Sequence, residues 1–283
     1  MTDNGATIAV DALVAAAREL ANAGRWQQGL ALLDAAATPD RAALDRSVLD
    51  RSALDRAALD RAAAEVALAA EWFADSDEAG KRIAACAGQS GWEAESLRVR
   101  YDYSRLLHEG DELRLGPWGK DPAAIAEIGR QAVALRERAG TETQRGWSEM
   151  YLGWIADNLR AERDVAPAHY EAALAAAAGD DLLAREALRH LGDHDHDDGD
   201  YESARRRWER ATELGAAAGA VPGTLSQQFL LAALHRKAGD EAGARALATE
   251  VARWSAAIGA TRLHAQVAAF LAGADPLAEP EHD

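Results

Sequence analysis

The residues whose side chains are most capable of metal binding or catalysis form an acidic, histidine-containing run, DHDHDD, at 193–198. His190 and His194 are four residues apart, so on a helix they share one face and can chelate zinc or another divalent ion. The run also fits the solvated end of a helix, which is the simpler interpretation. Glu does not follow His190, so there is no HExxH motif, and the spacing does not fit a calcium-binding EF-hand loop. We therefore predict no metal or other cofactor, and His190 and His194 are the only candidates for metal ligands.

Other catalytic patterns are missing from the sequence. It contains no GxSxG motif, no phosphate-binding P-loop and no GxGxxG fingerprint following a strand. Cys86 is the single cysteine, and it has neither a helix start nor a basic neighbour pattern that would favour a thiolate. The sequence therefore favours a protein that is not an enzyme.

The overall charge of the chain disfavours some kinds of binding partner. The formal net charge is -16 and the sequence pI is about 4.9, which disfavours binding to nucleic acid or to an anionic membrane surface. The N-terminal stretch carries Asp3 and Asp11 where a signal peptide would be apolar, and no uncharged apolar run reaches membrane-spanning length. These features predict a cytoplasmic protein.

Composition and periodicity predict an all-α fold. Ala, Leu, Arg, Glu and Asp dominate, whereas the β-branched and aromatic residues that fill sheets are sparse. The chain length suits a solenoid of about six to eight helical hairpins. Three segments depart from this pattern: a run of AALDR-type pentads at 40–61, predicted to be a helical or partly disordered insert, an irregular Gly-containing and Pro-containing loop at 109–120, and an acidic tail at 273–283, predicted to be disordered.

The clearest repeat unit spans 187–214, ALRHLGDHDHDDGDYESARRRWERATEL. It has a Leu-Gly pair in its first helix, a Gly-Asp-Tyr turn, and then small, aromatic and small residues about a turn apart in its second helix. The landmarks are Leu191, Gly192, Gly199, Asp200, Tyr201, Ala204, Trp208 and Ala211. This pattern resembles the tetratricopeptide (TPR) repeat. Small residues allow close helix approach, and large residues fill the space between hairpins.

The resemblance implies a right-handed α-solenoid of about six antiparallel helical hairpins plus a C-terminal capping helix. It implies a single domain at 1–272. The two glycines Gly199 and Gly239 are 40 residues apart, longer than the usual period of about 34, so longer helices or longer loops are expected.

TPR proteins generally bind peptide segments of their partners in the concave groove lined by the first helix of each hairpin. Transferring the groove-facing positions by register gives Trp72, Trp147, Met150, Trp154, Asp157, Asn158, Glu186, Arg189, Asp193, His196, Asp197, Phe229 and Arg236. This mixture of aromatic and acidic side chains suits a basic or amphipathic peptide or protein partner, or a cationic small molecule with apolar parts.

Two alternatives stay open at this stage. Trp147 and Trp154 are seven residues apart on one helix, which also fits simple packing between hairpins. The function itself has an alternative, a small-molecule-binding protein or enzyme on an α-solenoid whose polar centre is formed by the histidines and neighbouring aspartates. The leading hypothesis is a non-enzymatic interaction, adaptor or sensor protein.

Overall fold

The computed structural model of the chain describes residues 9–37, 53–109 and 112–274. Nearly all of these residues are helical. The helices are α1 (Val10–Asn22), α2 (Trp26–Ala37), α3 (Ala53–Phe73), α4 (Glu78–Ala85), α5 (Trp92–Leu107), α6 (Pro122–Glu137), α7 (Glu142–Trp154), α8 (Ala166–Ala175), α9 (Asp181–Asp197), α10 (Tyr201–Ala217), α11 (Val221–Lys237), α12 (Glu241–Ile258) and α13 (Thr261–Leu271). A π-helical turn, Ile155–Leu159, directly continues α7.

The helices pair in sequence order into antiparallel hairpins. Each odd-numbered helix from α1 to α11 packs on the even-numbered helix that follows it, and α13 packs on α12. The described chain is therefore an α-solenoid of six hairpins with a final capping helix, as the sequence predicts. In the predicted irregular loop, two short strands, β1 (His108–Glu109) and β2 (Glu112–Leu113), pair antiparallel.

The C-terminal half repeats with great regularity. Helices α9 to α13 begin at intervals of 20 residues, and the turns between them are only three residues or fewer. Gly199 (φ 83°) and Gly239 (φ 84°) occupy the left-handed conformation that ends a helix, and the following Asp200 accepts a hydrogen bond from the Ser203 amide at 3.0 Å. The extra length of the 40-residue repeat thus lies in the helices, not in the loops.

Close helix contacts follow the predicted pattern of small and large residues. A Cβ atom on Gly192 would lie 2.5 Å from the Trp208 Nε1 atom, and a Cβ on Gly153 would lie 2.4 Å from the Tyr170 ring. Trp208 and Tyr170 are completely buried. Each aromatic ring therefore rests directly on the backbone of the partner helix, which only glycine permits.

The two ends of the array meet. One core cluster joins α1, α2 and α3 with α11, α12 and α13. Ile258 at the end of α12 packs against Gly24 in the first turn, and the Asp75 amide donates to Thr261 Oγ1 at 3.0 Å. The N-terminal and C-terminal hairpins thus share a core, and the curved array closes on itself.

Two predicted irregular segments extend beyond the described residues. Of the pentad run, 53–61 belongs to α3, where the Arg56–Asp60 ion pair is 3.0 Å long, and 40–52 lies outside the described residues. The predicted acidic tail also lies outside them from 275 onward. Across the ranges that are described, no helix combines the length and apolar character needed to cross a membrane.

Candidate functional site

The first helices of the hairpins form the inner side of the curved array. Successive first helices from α1 to α9 contact one another more closely than successive second helices do. In a curved stack of hairpins, the layer whose members approach each other most closely lies on the concave side. Residues on these helices that stay partly exposed are therefore the candidates for binding a partner.

Four aromatic side chains form a continuous patch on this side. The Trp154 ring on α7 lies 5.6 Å from the Tyr103 ring on α5 and 5.5 Å from the Tyr151 ring, and Trp147 lies 6.3 Å from Tyr151, measured between ring centroids. Trp147 and Trp154 are half-buried, whereas Tyr103 and Tyr151 are buried. We call Tyr103, Trp147, Tyr151 and Trp154 the aromatic patch. Trp147 and Trp154 thus pack between hairpins and also keep part of their surface exposed.

The π-helical turn after Trp154 positions two predicted polar residues. Asn158 donates from Nδ2 to the Tyr103 hydroxyl at 2.8 Å. Asp157 accepts from the Tyr170 hydroxyl at 3.2 Å. Single π-turns inside helices often occur at functional sites because they redirect side chains. Here the turn ties the hairpin of α7 and α8 to the neighbouring α5.

The two histidines considered for metal binding have separate partners. His190 Nε2 accepts from the Trp154 indole nitrogen at 2.8 Å, and its ring stacks on Tyr170 with centroids 4.8 Å apart. His194 Nε2 lies 3.0 Å from an Asp157 carboxylate oxygen. Burial and the positive charge of Arg189 lower the pKa of His190 well below its usual value. Among the described residues, no group of three His, Cys, Asp or Glu side chains is placed to hold a metal ion.

Three predicted charged residues of α9 lie beside the aromatic patch. Arg189 forms an ion pair of 3.3 Å with Asp193, and both side chains are about one-third exposed. Glu186 pairs with the buried Arg185. Burial raises the pKa of Asp193 to about 6, although the nearby Arg189 opposes that rise. Burial lowers the pKa of Arg189, but the negative charges of Asp193 and Glu186 outweigh the effect of burial, so the pKa is raised.

Three residues predicted to face the groove are core residues instead. Met150 is fully buried against the α8 and α9 core, and Phe229 is buried edge-to-face against Phe270 on α13. His196 is 4% exposed and stacks on Trp208. Transferring positions by register from one repeat unit was wrong here, because it does not account for how each helix is rotated about its axis.

Three others make their observed contacts with residues outside the aromatic patch. Asp197, the last residue of α9, pairs at 2.6 Å with Arg163, which lies between the π-helical turn and α8. Arg236 pairs with Glu241 and lies 3.5 Å above the Phe270 ring, so it ties α11 to α12 and α13. Trp72 is 46% exposed and contacts His108 edge-on, at the far end of α3. None of these contacts joins the three residues to the aromatic patch.

The sequence interpretation missed the tyrosines of the site. Tyr103 lies in the region where the repeat pattern is weakest, and Tyr170 lies in a hairpin whose turn is lengthened by the π-helical turn. Tyr170 follows Gly153 by 17 residues, close to the 16 that separate Gly192 from Trp208. This similar spacing from the glycine is the feature of the sequence that could have identified Tyr170 as the counterpart of Trp208. Tyr103 offered no comparable signal, because its contacts with α7 are entirely non-local.

No protein family and no curated protein matches the sequence. Among solved structures, the crystal structure of a Rap protein complexed with competence and sporulation factor is similar to this chain, with a TM-score of 0.59 and 10% sequence identity. The similarity covers 93% of this chain and 69% of that chain. At this level of identity the likeness concerns the fold. Together with the six hairpins and their repeated glycine contacts, it shows that this chain is an all-α helical-repeat protein.

Proposed function

We propose that this chain is a non-enzymatic interaction protein of the TPR type that holds a peptide or a segment of a partner protein on the inner side of its array. The observation that carries the proposal is the aromatic patch, in which Trp147 and Trp154 keep exposed surface beside the charged residues of α9. Tryptophan and arginine are the residue types most enriched at the energetic centres of protein interfaces.

The geometry of the site favours binding over chemistry. Asp157 and His194 form a hydrogen-bonded pair, but both side chains are largely buried, 15% and 9% exposed. The pair also links two hairpins, which is a structural role. The structure that is similar in fold holds competence and sporulation factor, which supports a binding role for this architecture.

Selection from a displayed library of random peptides of about 12 residues tests the proposal. The immobilised full chain should enrich a consistent set of peptides. Replacing Trp147 with Leu should weaken their binding by about tenfold, the effect of losing one central aromatic contact. Trp254→Leu is the matched control, since Trp254 is 51% exposed on α12, a second helix.

Two results would contradict the proposal. One is a selection that enriches no peptide above background. The other is a set of enriched peptides that bind the Trp147→Leu and Trp254→Leu variants equally well, since the binding surface would then lie elsewhere.

A further inference from the structure

The carboxylates around the aromatic patch are already engaged by residues of the chain itself. Each of them has a hydrogen-bonding or charged partner within the described structure. The pairs are Glu65 with Arg18 at 2.9 Å, Asp157 with Tyr170 at 3.2 Å and His194 at 3.0 Å, Glu186 with Arg185, and Asp193 with Trp208 at 3.2 Å and Arg189 at 3.3 Å. The acidic residues that suggested a basic partner are thus largely neutralised.

Two arginines next to the same patch keep hydrogen-bond donors that the chain does not use. Arg189 contacts Asp193 and His190 through Nη1 alone, and its Nε and Nη2 atoms have no hydrogen-bond partner among the described residues. Arg100, on α5, is half-buried and makes no hydrogen bond or ion pair with any described residue. An arginine carries five N–H donors, so both side chains retain most of their capacity to bind an acceptor.

Both arginines are close to rings of the patch. The positive charge of Arg100 acts on the Tyr151 hydroxyl and opposes the burial that raises the Tyr151 pKa to about 12. Arg189 Nη1 lies 3.1 Å from His190 Nε2, the atom that accepts the hydrogen bond from the Trp154 indole. Arg100 precedes Tyr103 by three residues, about one turn of α5. Since the Tyr103, Trp154 and Tyr151 rings are in contact, the two guanidinium groups flank one apolar surface. Their donors face surroundings that are poorer in water than bulk solvent, where a charged hydrogen bond is strong.

We infer that the partner segment held on the inner side carries acidic side chains, whose carboxylates are bound by Arg100 and Arg189, next to an aromatic or branched apolar side chain on the aromatic patch. The inference rests on the proposed binding function and specifies the chemistry of the partner. It departs from the basic partner that the composition of the groove suggested. An arginine fork binds a carboxylate through two parallel hydrogen bonds, which gives direction as well as charge selectivity.

The test uses the peptides selected on the full wild-type chain. We expect them to be enriched in Asp and Glu beside an aromatic or branched apolar residue. Arg100→Gln and Arg189→Gln should each weaken binding of these peptides by at least about tenfold, the usual scale for a lost charged contact. Arg105→Gln is the matched control, because Arg105 lies on the same helix as Arg100 but is exposed to solvent on another face.

The outcomes separate this inference from the function on which it rests. Enriched peptides that are basic, or that bind the Arg100→Gln and Arg189→Gln variants normally, would overturn the inference and leave the binding function standing. A selection without any enriched peptide would overturn both. Circular dichroism of each variant shows whether it folds. If Arg189→Gln disturbs the Asp193 contact and unfolds, Arg100→Gln still decides the question, since Arg100 has no hydrogen bond or ion pair with a described residue to lose.

Discussion

At the scale of single residues, the histidines of α9 act as buried connectors between hairpins. His190 accepts a hydrogen bond from Trp154, which requires an unprotonated ring nitrogen. Burial, the charge of Arg189 and that of His194 lower its pKa in the folded state. The acidic, histidine-containing run, whose simpler interpretation was a solvated helix end, thus has two buried histidines, and His194 contacts Asp157 after α7 and Tyr170 on α8.

This arrangement predicts acid sensitivity. In the unfolded chain His190 has a pKa of about 6.5, above its folded value, so below that pH the unfolded state takes up a proton that the folded state does not. The folded state is therefore destabilised as the pH falls through about 6.5. The raised pKa of Asp193 has the opposite effect on stability. The folded chain takes up a proton on Asp193 near pH 6, so this residue stabilises the folded state on acidification.

A comparison with His190→Gln isolates the histidine contribution, because Gln keeps an acceptor for Trp154. Urea unfolding should show that, between pH 6.5 and 5.5, the wild-type chain loses about 1 kcal/mol more stability than the variant. His235→Gln is the control, since His235 is exposed and paired with Asp240. Parallel stability curves for the wild type and His190→Gln would show that His190 titrates normally in the folded chain.

At the scale of the elements, two neighbouring hairpins, α7 with α8 and α9 with α10, are each held by an aromatic ring on a glycine. Gly192 and Trp208 form this contact between α9 and α10. Forty residues later, the corresponding positions are Ala232 and Ala248, both fully buried. From one hairpin to the next, the large ring of Trp208 is replaced by Ala248 and the hydrogen of Gly192 by the methyl group of Ala232. The two changes compensate each other, as expected when the packed volume is conserved.

This complementarity predicts a coupling between two substitutions. Gly192→Ala should destabilise the chain by about 1–3 kcal/mol, because the added methyl group overlaps a fully buried ring. In a Trp208→Ala background, the same change should cost much less, since the ring that it meets is gone. A double-mutant cycle measured by thermal or urea unfolding gives the coupling energy. Equal costs in both backgrounds would mean that the cost is not steric.

Periodicity alone was enough to predict the elements but not the rotation of each helix. The regular Gly-Asp turns at 199–200 and 239–240 mark helix ends directly, because a left-handed glycine followed by a capping aspartate is a local signal. Whether Met150 or Trp154 faces the groove depends on contacts with other hairpins. A register transferred from one hairpin therefore does not distinguish Trp154 and Arg189, which keep exposed surface, from Met150, Phe229 and His196, which are buried. The π-helical turn, which shifts the phase of its own helix, was not predicted at all.

At the scale of the whole molecule, the contact between the two ends distinguishes this chain from an open repeat array. In an open array, a change in the last hairpins affects only their neighbours. Here α12 and α13 share a core with α1, α2 and α3, so a change near the C-terminus is expected to reach helices more than two hundred residues away in sequence.

Hydrogen exchange can detect this long-range effect. Replacing Ile258 with Asp places a charge against Gly24, and amides in α1 and α2 should exchange faster, by about tenfold for a local loss of roughly 1.4 kcal/mol. Trp254→Asp is the control, because it adds the same charge to the same helix at a position that is 51% exposed. If the two variants show equal exchange in α1 and α2, the ends of the array do not stabilise each other.

The meeting of the two ends also bears on how such a chain can change during evolution. Repeat proteins commonly gain or lose units by duplication or deletion, because each unit needs only its neighbours. Inserting a hairpin between α10 and α11 in this chain would push Ile258 away from Gly24 and Thr261 away from Asp75. The number of hairpins is therefore constrained by the circumference that they must complete, and variation should concentrate in side chains of the inner surface instead of in repeat number.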